Sequence, residues 1–315
     1  MRIVFMGTPD FAVLTLEAIK ESGHEIVLVV TQPDRPKGRG HKLAFSPVKE
    51  KALALGLEVA QPEKIREQAF VERLRELAPD VIVVVAFGQL LSQEILLMPK
   101  YGCVNLHASL LPKYRGAAPI HMAVINGEKV TGNTTMLMDK GMDTGDMLLT
   151  NQVVIGEEET TGELHDKLAV SGAKLMVQTL AGLQDGSIVA CKQDDQLATY
   201  AGKLDKQTEI IDWHKTSRQI FNQIRGLTPW PTAYTNLANS RLKVFKSKVV
   251  ASTQPGAFLP GQFVGETDDG FLVATGDGLL EVLDVQPESK KRMPARDFIQ
   301  GCNFTKDDIV FGRNV

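Results

Sequence analysis

The chain has 315 residues, a net charge of −3 and the composition of an ordinary globular protein, with 43% hydrophobic and 23% charged residues. Its length is sufficient for two domains, and its longest apolar run, residues 81–87, is too short to form a helix that crosses a bilayer. The three cysteines, Cys103, Cys191 and Cys302, are far apart and have no paired metal-binding spacing. We therefore expect reduced thiols, no bound metal and a cytoplasmic location.

The first half of the chain alternates short apolar runs with segments of helical periodicity, which is typical of β-α-β units around a parallel sheet. We predict strands over residues 2–6, 25–30, 57–60, 81–85 and 103–107. We predict intervening helices that begin near Asp10, Ser46, Arg66 and Gln93. Further on we predict a helix over 119–125, strands over 132–138 and 147–155, and a helix over 162–183. The expected fold class of this half is α/β, with a Rossmann-like, mostly parallel sheet.

The second half has a different pattern. Residues 187–206 are polar and aperiodic, so we predict a catalytic domain over 1–189, a linker over 190–205 and a C-terminal domain over 206–315. The C-terminal segment contains one predicted helix, 213–225, followed by short strand-like runs separated by hairpin turns. These runs are 242–245, 261–265, 271–274 and 279–285. One helix and several short antiparallel strands predict a small β-barrel of the oligonucleotide-binding (OB) type.

The distribution of charge suggests a nucleic-acid partner, although the overall charge is negative. Residues 204–250 contain eight basic residues against three acidic ones. A second cluster comprises Arg35, Lys37, Arg39 and Lys42. Basic patches of this kind are the electrostatic footprint of a phosphate backbone. A solvated lysine-rich surface is the simpler alternative for either cluster alone.

The segment 32–42 that carries the second cluster is long for a connection between a strand and a helix. Its prolines and glycines predict an absence of regular structure, and its arginines suit bidentate phosphate contacts. Long loops of this kind often have a function, whereas a solvated mobile loop is the alternative.

Two polar side chains are predicted at the end of the fifth strand. Because side chains alternate along a strand, Asn105 and His107 project to the same face. Open α/β sheets bind their ligands beyond the carboxyl ends of their strands. An amide and an imidazole there suit the stabilisation of charge on an oxygen and the transfer of a proton. The alternative is a strand that ends in a polar turn, with His107 merely hydrogen-bonded.

Residues 139–146 form an aspartate- and glycine-containing loop that offers this histidine a partner. One carboxylate near His107 would orient the imidazole and favour its charged form. The remaining aspartates are then ordinary turn residues in water. The sequence has no G-x-G-x-x-G motif and no Walker A motif, so a dinucleotide cofactor is not expected. Ser109 lacks the G-x-S-x-G context of an esterase nucleophile.

The sequence resembles the 10-formyltetrahydrofolate-dependent formyltransferases. The resemblance rests on three motifs, Asn105-x-His107-x-Ser109-Leu110-Leu111-Pro112, Arg115-Gly116-Ala117-Ala118-Pro119 and Asp143-Thr144-Gly145-Asp146. It extends over nearly the whole chain and includes residues 7–11, residues 31–42 and Pro229-Trp230-Pro231. The triplet Leu227-Thr228-Pro229, which precedes Trp230, is a mild departure from the family pattern and casts no doubt on the active site.

The resemblance implies that Asn105, His107 and Asp143 are catalytic. It implies that 10-formyltetrahydrofolate is the formyl donor and that methionyl initiator tRNA is the acceptor, without a metal. It places the folate against Phe87, Gly88, Gln89, Leu90 and Leu91 and against Ser109, Leu110, Leu111 and Pro112. The residues expected to contact tRNA are Arg39, Lys37, Lys42, Lys206, Lys243, Lys246 and Lys248. We expect a monomer that does not associate with membranes.

Three other functions are compatible with parts of this pattern. Formyltransferases that act on amino-sugar nucleotides have a similar catalytic half, but this chain lacks the fused dinucleotide-binding module often found with it. A hydrolase that releases formate from the same folate would need no basic loop and no basic barrel. A non-catalytic RNA-binding protein would have no reason to retain Asn105, His107 and Asp143 together.

Overall fold

The computed structural model of the chain describes residues 1–37, 42–237, 240–251, 258–301 and 310–312, with the main chain alone for Lys37 and Lys42. Arg39 and Cys302 lie outside the described residues. The chain divides into two compact units. Unit 1 comprises residues 1–119, 130–154 and 165–201, and unit 2 comprises residues 120–129, 155–164 and 202–315.

Unit 1 contains eleven of the strands in the described part of the chain. They are β1 (Arg2–Gly7), β2 (Glu25–Val30), β3 (Arg35–Lys37), β4 (Lys42–Ala44), β5 (Val59–Ala60), β6 (Val81–Val85), β7 (Cys103–His107), β8 (Arg115–Gly116), β9 (Val130–Leu137), β10 (Met147–Val154) and β11 (Tyr200–Ala201). The α-helices up to residue 185 are α1 (Val13–Glu21), α2 (Pro47–Ala54), α3 (Gln68–Leu77), α4 (Gln93–Leu96), α5 (Pro119–Ile125) and α6 (Thr161–Asp185). Short 3-10 turns cover Asp10–Ala12 and Asp195–Leu197.

Seven of these strands form one sheet in the order β10-β9-β7-β6-β1-β2-β5. All neighbouring pairs are parallel except those that involve β9, so the expected mostly parallel α/β sheet is confirmed. The strand order reverses at β1, which has β2 on one side and β6 on the other. Such a switch point opens a crevice beyond the carboxyl ends of the strands, and these ends carry the site described below.

The central strands form where the sequence is continuously apolar. All five residues of β6 are buried, as expected for a β-branched run that is covered by helices on both faces. Helix α2 begins where predicted, because the Ser46 hydroxyl accepts a hydrogen bond from the Lys49 N–H and Pro47 fits the first helical turn. The other predicted elements of unit 1 occur within a few residues of their expected bounds.

The prediction that residues 32–42 lack regular structure is wrong for residues 35–37 and 42, which belong to strands. Strands β3 and β4 pair with each other as an antiparallel ribbon, with Pro36 opposite Leu43. Proline cannot donate a hydrogen bond, but a two-stranded ribbon tolerates it where its N position faces away from the partner strand.

Residues 191–201 are part of unit 1. Cys191 and Met147 exchange two main-chain hydrogen bonds of 2.8 Å. Further on, β11 pairs with β8, so that Ala201 lies opposite Gly116. A Cβ atom on Gly116 would lie 2.5 Å from the Ala201 carbonyl oxygen, so this pairing requires glycine. The polar segment therefore returns to the end of the sheet where β7 terminates.

Unit 2 contains an antiparallel sheet. Its strands are β12 (Ala233–Leu237), β13 (Ser240–Val250), β14 (Phe263–Glu266), β15 (Phe271–Ala274), β16 (Leu279–Pro287) and β17 (Met293–Pro294), and its helices include α7 (Lys206–Glu209), α8 (Ser217–Gly226) and α9 (Ala295–Gln300). The hydrogen-bonded order is β12-β13-β16-β15-β14, with β17 also on β16. The expected antiparallel C-terminal sheet is confirmed, although β12, β17 and the helices α7 and α9 were not predicted.

Helix α8 supplies one side of the core of unit 2. Its buried residues Ile220, Phe221 and Ile224 belong to the same apolar cluster as Val244 and Val282 of the sheet. The helix begins at residue 217, later than predicted, because Thr216 and Gln219 form a reciprocal capping box that defines its start.

The two ends of this sheet are joined by a short segment, residues 310–312. The Phe311 N–H donates to the Gly261 carbonyl beside β14, and the Gly312 N–H donates to the Asn236 carbonyl in β12. The segment thus satisfies main-chain groups at both ends of the strand order, in agreement with the expected barrel-like arrangement. Across the described parts of both units, every helix is too short or too polar to traverse a lipid bilayer.

Candidate active site

The site lies at the carboxyl end of β7. Asn105 is opposite Val84 of β6 and Met136 of β9, and His107 is opposite Thr134 of β9. His107 is 6% exposed, whereas Asn105 is half-buried. Among the described residues, the Asn105 side-chain amide has no hydrogen-bonding partner, so its donor and acceptor are available to a ligand.

The contacts of His107 determine where its protons lie. Its Nε2 atom is 2.9 Å from the Tyr114 carbonyl oxygen. Because a carbonyl only accepts hydrogen bonds, Nε2 carries a proton. The Nδ1 atom is 3.6 Å from Oδ2 of Asp143, within ion-pair range. The Nδ1 side of the ring therefore faces the Asp143 carboxylate, which is close enough to orient the imidazole.

Asp143 is held in place by the main chain. Its Oδ2 atom accepts a 2.8 Å hydrogen bond from the Gly116 N–H. Its φ angle of 56° is left-handed, a region that aspartate tolerates better than most residues do. Tyr114, which supplies the carbonyl to His107, also has a positive φ, of 61°. Such backbone conformations concentrate at functional sites, where the surrounding structure maintains them.

The other aspartates of the loop have different roles. Asp139 Oδ1 accepts hydrogen bonds from the Gly141 N–H at 2.9 Å and the Thr144 hydroxyl at 2.7 Å, which fixes the turn. Gly145 lies against β9, and a Cβ atom there would be 1.7 Å from the Leu137 carbonyl oxygen. The structure therefore brings one of the three aspartates, Asp143, to His107.

The segment Ser109–Leu110–Leu111–Pro112 follows β7 directly and is anchored beside His107. The Thr134 hydroxyl donates to the Ser109 carbonyl at 2.7 Å and accepts from the Leu111 N–H at 3.1 Å. The Ser109 hydroxyl is buried and donates to the Lys113 carbonyl at 2.6 Å. The Leu111–Pro112 peptide bond is cis. Leu110 is half-buried and faces Gly132, where a Cβ atom would lie 2.7 Å from Leu110 Cδ2.

The second predicted folate segment, Phe87 to Leu91, follows β6, the neighbour of β7. The Phe87 carbonyl accepts from the Thr8 hydroxyl at 2.9 Å and from the Gln32 amide at 3.2 Å. The side chain of Gln89 is hydrogen-bonded to the main chain of the protein. Its oxygen accepts from the Ile65 N–H and its nitrogen donates to the Pro62 carbonyl. These bonds fix the turn and leave Leu90 with 84% of its surface exposed.

A cavity of about 520 Å³ adjoins this turn at the switch point of the sheet. It is lined by Thr8, Pro9, Gln32, Pro33, Arg35, Pro36, Ala44, Phe45, Ser46, Pro47, Ala86, Phe87 and Gly88. Its walls come from the ends of β1, β2 and β6 and from the ribbon β3–β4. The cavity therefore connects the predicted folate turn with the base of the basic loop.

Sequence reasoning missed a residue in this region, Gln193. Its side-chain nitrogen donates to the main-chain carbonyls of Asp143 at 2.8 Å and Gly145 at 2.7 Å. Its side-chain oxygen accepts from Nε and Nη2 of Arg115, at 3.0 and 2.9 Å. No motif marks this residue, because the segment around it is polar and aperiodic and its partners are 48 to 78 positions away in the sequence.

Arg115 is the most deeply buried cation of this group, with 2% of its side chain exposed. Its Nη2 atom also donates to Asp195 at 2.8 Å. Burial lowers the pKa of the guanidinium, but hydrogen bonds to Asp195 and Tyr200 outweigh it, so the pKa of Arg115 is raised overall. The family motif residue Arg115 is thus a permanently charged anchor for the polar segment.

The cations predicted to contact tRNA are located in both units. Lys37 and Lys42 lie opposite each other in the ribbon β3–β4. Lys206 is exposed at the start of α7. The outward face of β13 carries three of these cations, Lys243, Lys246 and Lys248. A register shift near Lys246 keeps them on one face, although their spacing is not strictly alternate. The inward face carries the buried residues Leu242, Val244 and Ser247.

The described cysteines differ in their surroundings. Cys103 is buried in β7, and burial raises the pKa of its thiol to about 12. Cys191 is exposed. Within the described ranges, no group of three histidine, cysteine, aspartate or glutamate side chains is arranged to hold a metal ion.

Solved structures with a similar fold include formyltransferases. An N-formyltransferase from Helicobacter canadensis, crystallised with folinic acid and dTDP-3-aminofucose, superposes with a TM-score of 0.66 at 20% identity and covers 89% of this chain and 98% of its own. HypX from Aquifex aeolicus in complex with tetrahydrofolic acid superposes with a TM-score of 0.64 at 16% identity. That match covers 99% of this chain and 51% of HypX. At these identities the likeness establishes the fold.

Sequence relatives are much more similar. A methionyl-tRNA formyltransferase from Agathobacter rectalis is 52% identical over 306 residues, which cover 96% of this chain and 97% of the relative. One from Pelotomaculum thermopropionicum is 51% identical over 312 residues, which cover 99% of each chain. The sequence model described as Formyl transferase matches residues 1–180, and the one described as Formyl transferase, C-terminal domain, matches residues 203–303. The resemblance noted from the motifs is confirmed, and the chain belongs to the formyl transferase family, in the group of the methionyl-tRNA formyltransferases.

Proposed function

We propose that this protein transfers the formyl group of 10-formyltetrahydrofolate to the α-amino group of methionyl initiator tRNA, for use in translation initiation. The observation that carries the proposal is the convergence of Asn105, His107 and Asp143 at the end of β7. Full-length relatives of about 50% identity are named methionyl-tRNA formyltransferases.

Asn105 and His107 stabilise the charge that develops during transfer. The methionyl amine adds to the formyl carbon, and the formyl oxygen becomes an oxyanion. His107 Nε2 donates to the Tyr114 carbonyl, and Nδ1 lies 3.6 Å from Asp143 Oδ2, beyond hydrogen-bond distance. A proton on Nδ1 is therefore the one left to donate to the oxyanion, together with the Asn105 amide. Donors of this kind typically contribute about 3–4 kcal/mol each to transition-state stabilisation.

Asp143 orients the imidazolium and removes the proton from the attacking amine, directly or through a water molecule. The bond between the formyl carbon and the folate nitrogen then breaks, and that nitrogen gains a proton. The products are formylmethionyl-tRNA and tetrahydrofolate. The sequence of steps requires neither a covalent enzyme intermediate nor a metal.

The folate is proposed to lie against the two turns that follow β6 and β7. Neighbouring parallel strands bring Phe87–Gly88–Gln89–Leu90–Leu91 and Ser109–Leu110–Leu111–Pro112 to the same edge of the sheet. The exposed side chain of Leu90 offers an apolar surface to a planar ring, and main-chain groups of the turn suit its amide-like edge.

The tRNA is proposed to contact basic residues of both units. The acceptor end is assigned to Arg39 with its neighbours Lys37 and Lys42, and the rest of the tRNA to Lys206, Lys243, Lys246 and Lys248. Lys246 and Lys248 are exposed and Lys243 is half-buried, which supports this assignment chiefly for the first two, because phosphate contacts need accessible cations. We further propose a cytoplasmic monomer with a catalytic domain over 1–189 and a tRNA-binding domain over 206–315. Residues 190–205 connect them in the sequence, and 191–201 of these belong to unit 1.

The test compares four reactions of the purified protein with 10-formyltetrahydrofolate. The acceptors are methionyl initiator tRNA, methionyl elongator tRNA, an amino-sugar nucleotide and water. We expect efficient formylation of the initiator tRNA alone. Formylation of the amino sugar, or release of formate as the main reaction, would replace the proposal with one of the two alternative functions.

A further inference from the structure

Gln193 connects the catalytic loop to the buried Arg115 through all of its side-chain polar atoms. Its nitrogen has two protons, and these are directed to the carbonyls of Asp143 and Gly145. Its oxygen receives two N–H groups from the guanidinium. An amide is the side-chain group that donates two hydrogen bonds from one end and accepts two at the other, so the position is chemically matched to glutamine.

The carbonyls that Gln193 holds belong to the catalytic aspartate and to a residue two positions later. Asp143 has a left-handed φ of 56°, which costs free energy for a non-glycine residue and persists only when its surroundings maintain it. The Gly116 N–H fixes the carboxylate end of Asp143, and Gln193 fixes its main chain. Both contacts lead back to residues 115–116. Gly116 itself bonds the carboxylate of Asp143, and Arg115 is the other partner of Gln193.

We infer that Gln193 is a positioning residue for the transfer reaction, which holds the Asp143 loop so that its carboxylate faces His107. Gln193 contacts the main chain of Asp143 and acts through that residue. The inference rests on the catalytic role proposed for Asp143. Misplacement of a catalytic group by about 1 Å costs about 100-fold in rate, so the effect belongs in kcat.

The variant Gln193→Glu separates the two halves of this contact. Glutamate has the same shape, and its carboxylate still accepts both N–H groups of Arg115 and adds an ion pair. At the other end, however, an acceptor replaces the two-proton donor and faces two carbonyl oxygens. If Gln193 served only to anchor Arg115, the Glu variant would retain activity and Gln193→Ala would lose it.

The experiment measures kcat, both KM values and the melting temperature of Gln193→Glu, Gln193→Ala and the control Gln196→Glu. Gln196 is an exposed neighbour of Gln193, and its replacement by glutamate makes the same change in charge without touching the loop. We expect kcat to fall about 10- to 100-fold in both Gln193 variants, with KM for folate and tRNA within about twofold of wild type. The control should match wild type.

Two results would overturn the inference. One is a Gln193→Glu enzyme with kcat within about twofold of wild type. The other is a loss of rate that disappears once the folded fraction, measured at the assay temperature, is taken into account. Asp143→Asn, measured in parallel, separates this inference from the proposed mechanism. If Asp143→Asn is fully active, the catalytic trio is wrong; if it is inactive while Gln193→Glu is active, only the role of Gln193 is wrong.

Discussion

Replacing Asp143 with asparagine removes one charge from the site and leaves its geometry intact. The amide oxygen of asparagine can still accept the hydrogen bond from the Gly116 N–H, which is 2.8 Å long in the wild-type protein. Asparagine also tolerates the left-handed φ of 56° found here. The variant is therefore expected to fold normally, and its effect reports on the carboxylate charge.

The magnitude follows from the separation of 3.6 Å between Asp143 Oδ2 and His107 Nδ1. With an effective dielectric constant of about 20, two unit charges at this distance attract by about 4–5 kcal/mol. The side chain of Asp143 is 18% exposed, so solvent screening reduces this upper value. We expect the loss in kcat to be at least about 100-fold, which corresponds to roughly 2.7 kcal/mol, because the carboxylate also takes the amine proton in the proposed mechanism.

The assay is single-turnover formylation of methionyl initiator tRNA with saturating formyl donor, which isolates the chemical step from product release. Asp139→Asn is the matched control, because it makes the same change four positions earlier in a carboxylate that only fixes the turn. The control should transfer formyl at the wild-type rate. An Asp143→Asn rate within about threefold of wild type, or a loss confined to KM, would refute the reasoning.

Four further outcomes are expected. His107→Ala should abolish transfer, measured by single-turnover formylation, with little change in tRNA affinity measured by filter binding. Arg39→Ala should raise KM for tRNA and leave folate binding unchanged, and an equal loss of both would reject its assigned role. In the native protein, iodoacetamide should label Cys191 and spare Cys103, as read by peptide mass spectrometry, because the buried thiol has a pKa of about 12. Gly145→Ala should displace the catalytic loop, since its Cβ would lie 1.7 Å from the Leu137 carbonyl oxygen, and a fully active variant would contradict this geometry.

The parts of the fold that the sequence predicted are those fixed by local pattern. Strand β6 follows from its own continuous apolar run, and the start of α2 follows from its capping Ser46 and from Pro47 in its first turn. In both cases the residues that determine the element lie within it or next to it. The same is true of Asn105 and His107, because alternation along one strand is enough to place them on one face.

The parts that the sequence did not predict depend on contacts between distant segments. The ribbon β3–β4 is stabilised by cross-strand pairing that outweighs the effect of its prolines. Gln193 lies in a polar, aperiodic stretch, and its importance comes from partners at Arg115 and Asp143 that only the folded chain brings together. No single-sequence pattern encodes such a three-way contact.

The segment 310–312 has a consequence for the solubility of unit 2. It occupies main-chain groups next to β14 and in β12, which are the two ends of the strand order. Without it, the Gly261 and Asn236 carbonyls would lose these hydrogen bonds. Unpaired main-chain groups at sheet ends are the arrangement through which sheets recruit strands from other molecules. Residues 310–312 therefore cover part of both sheet ends, and we expect lesions there to be seen first as aggregation and only then as lost activity.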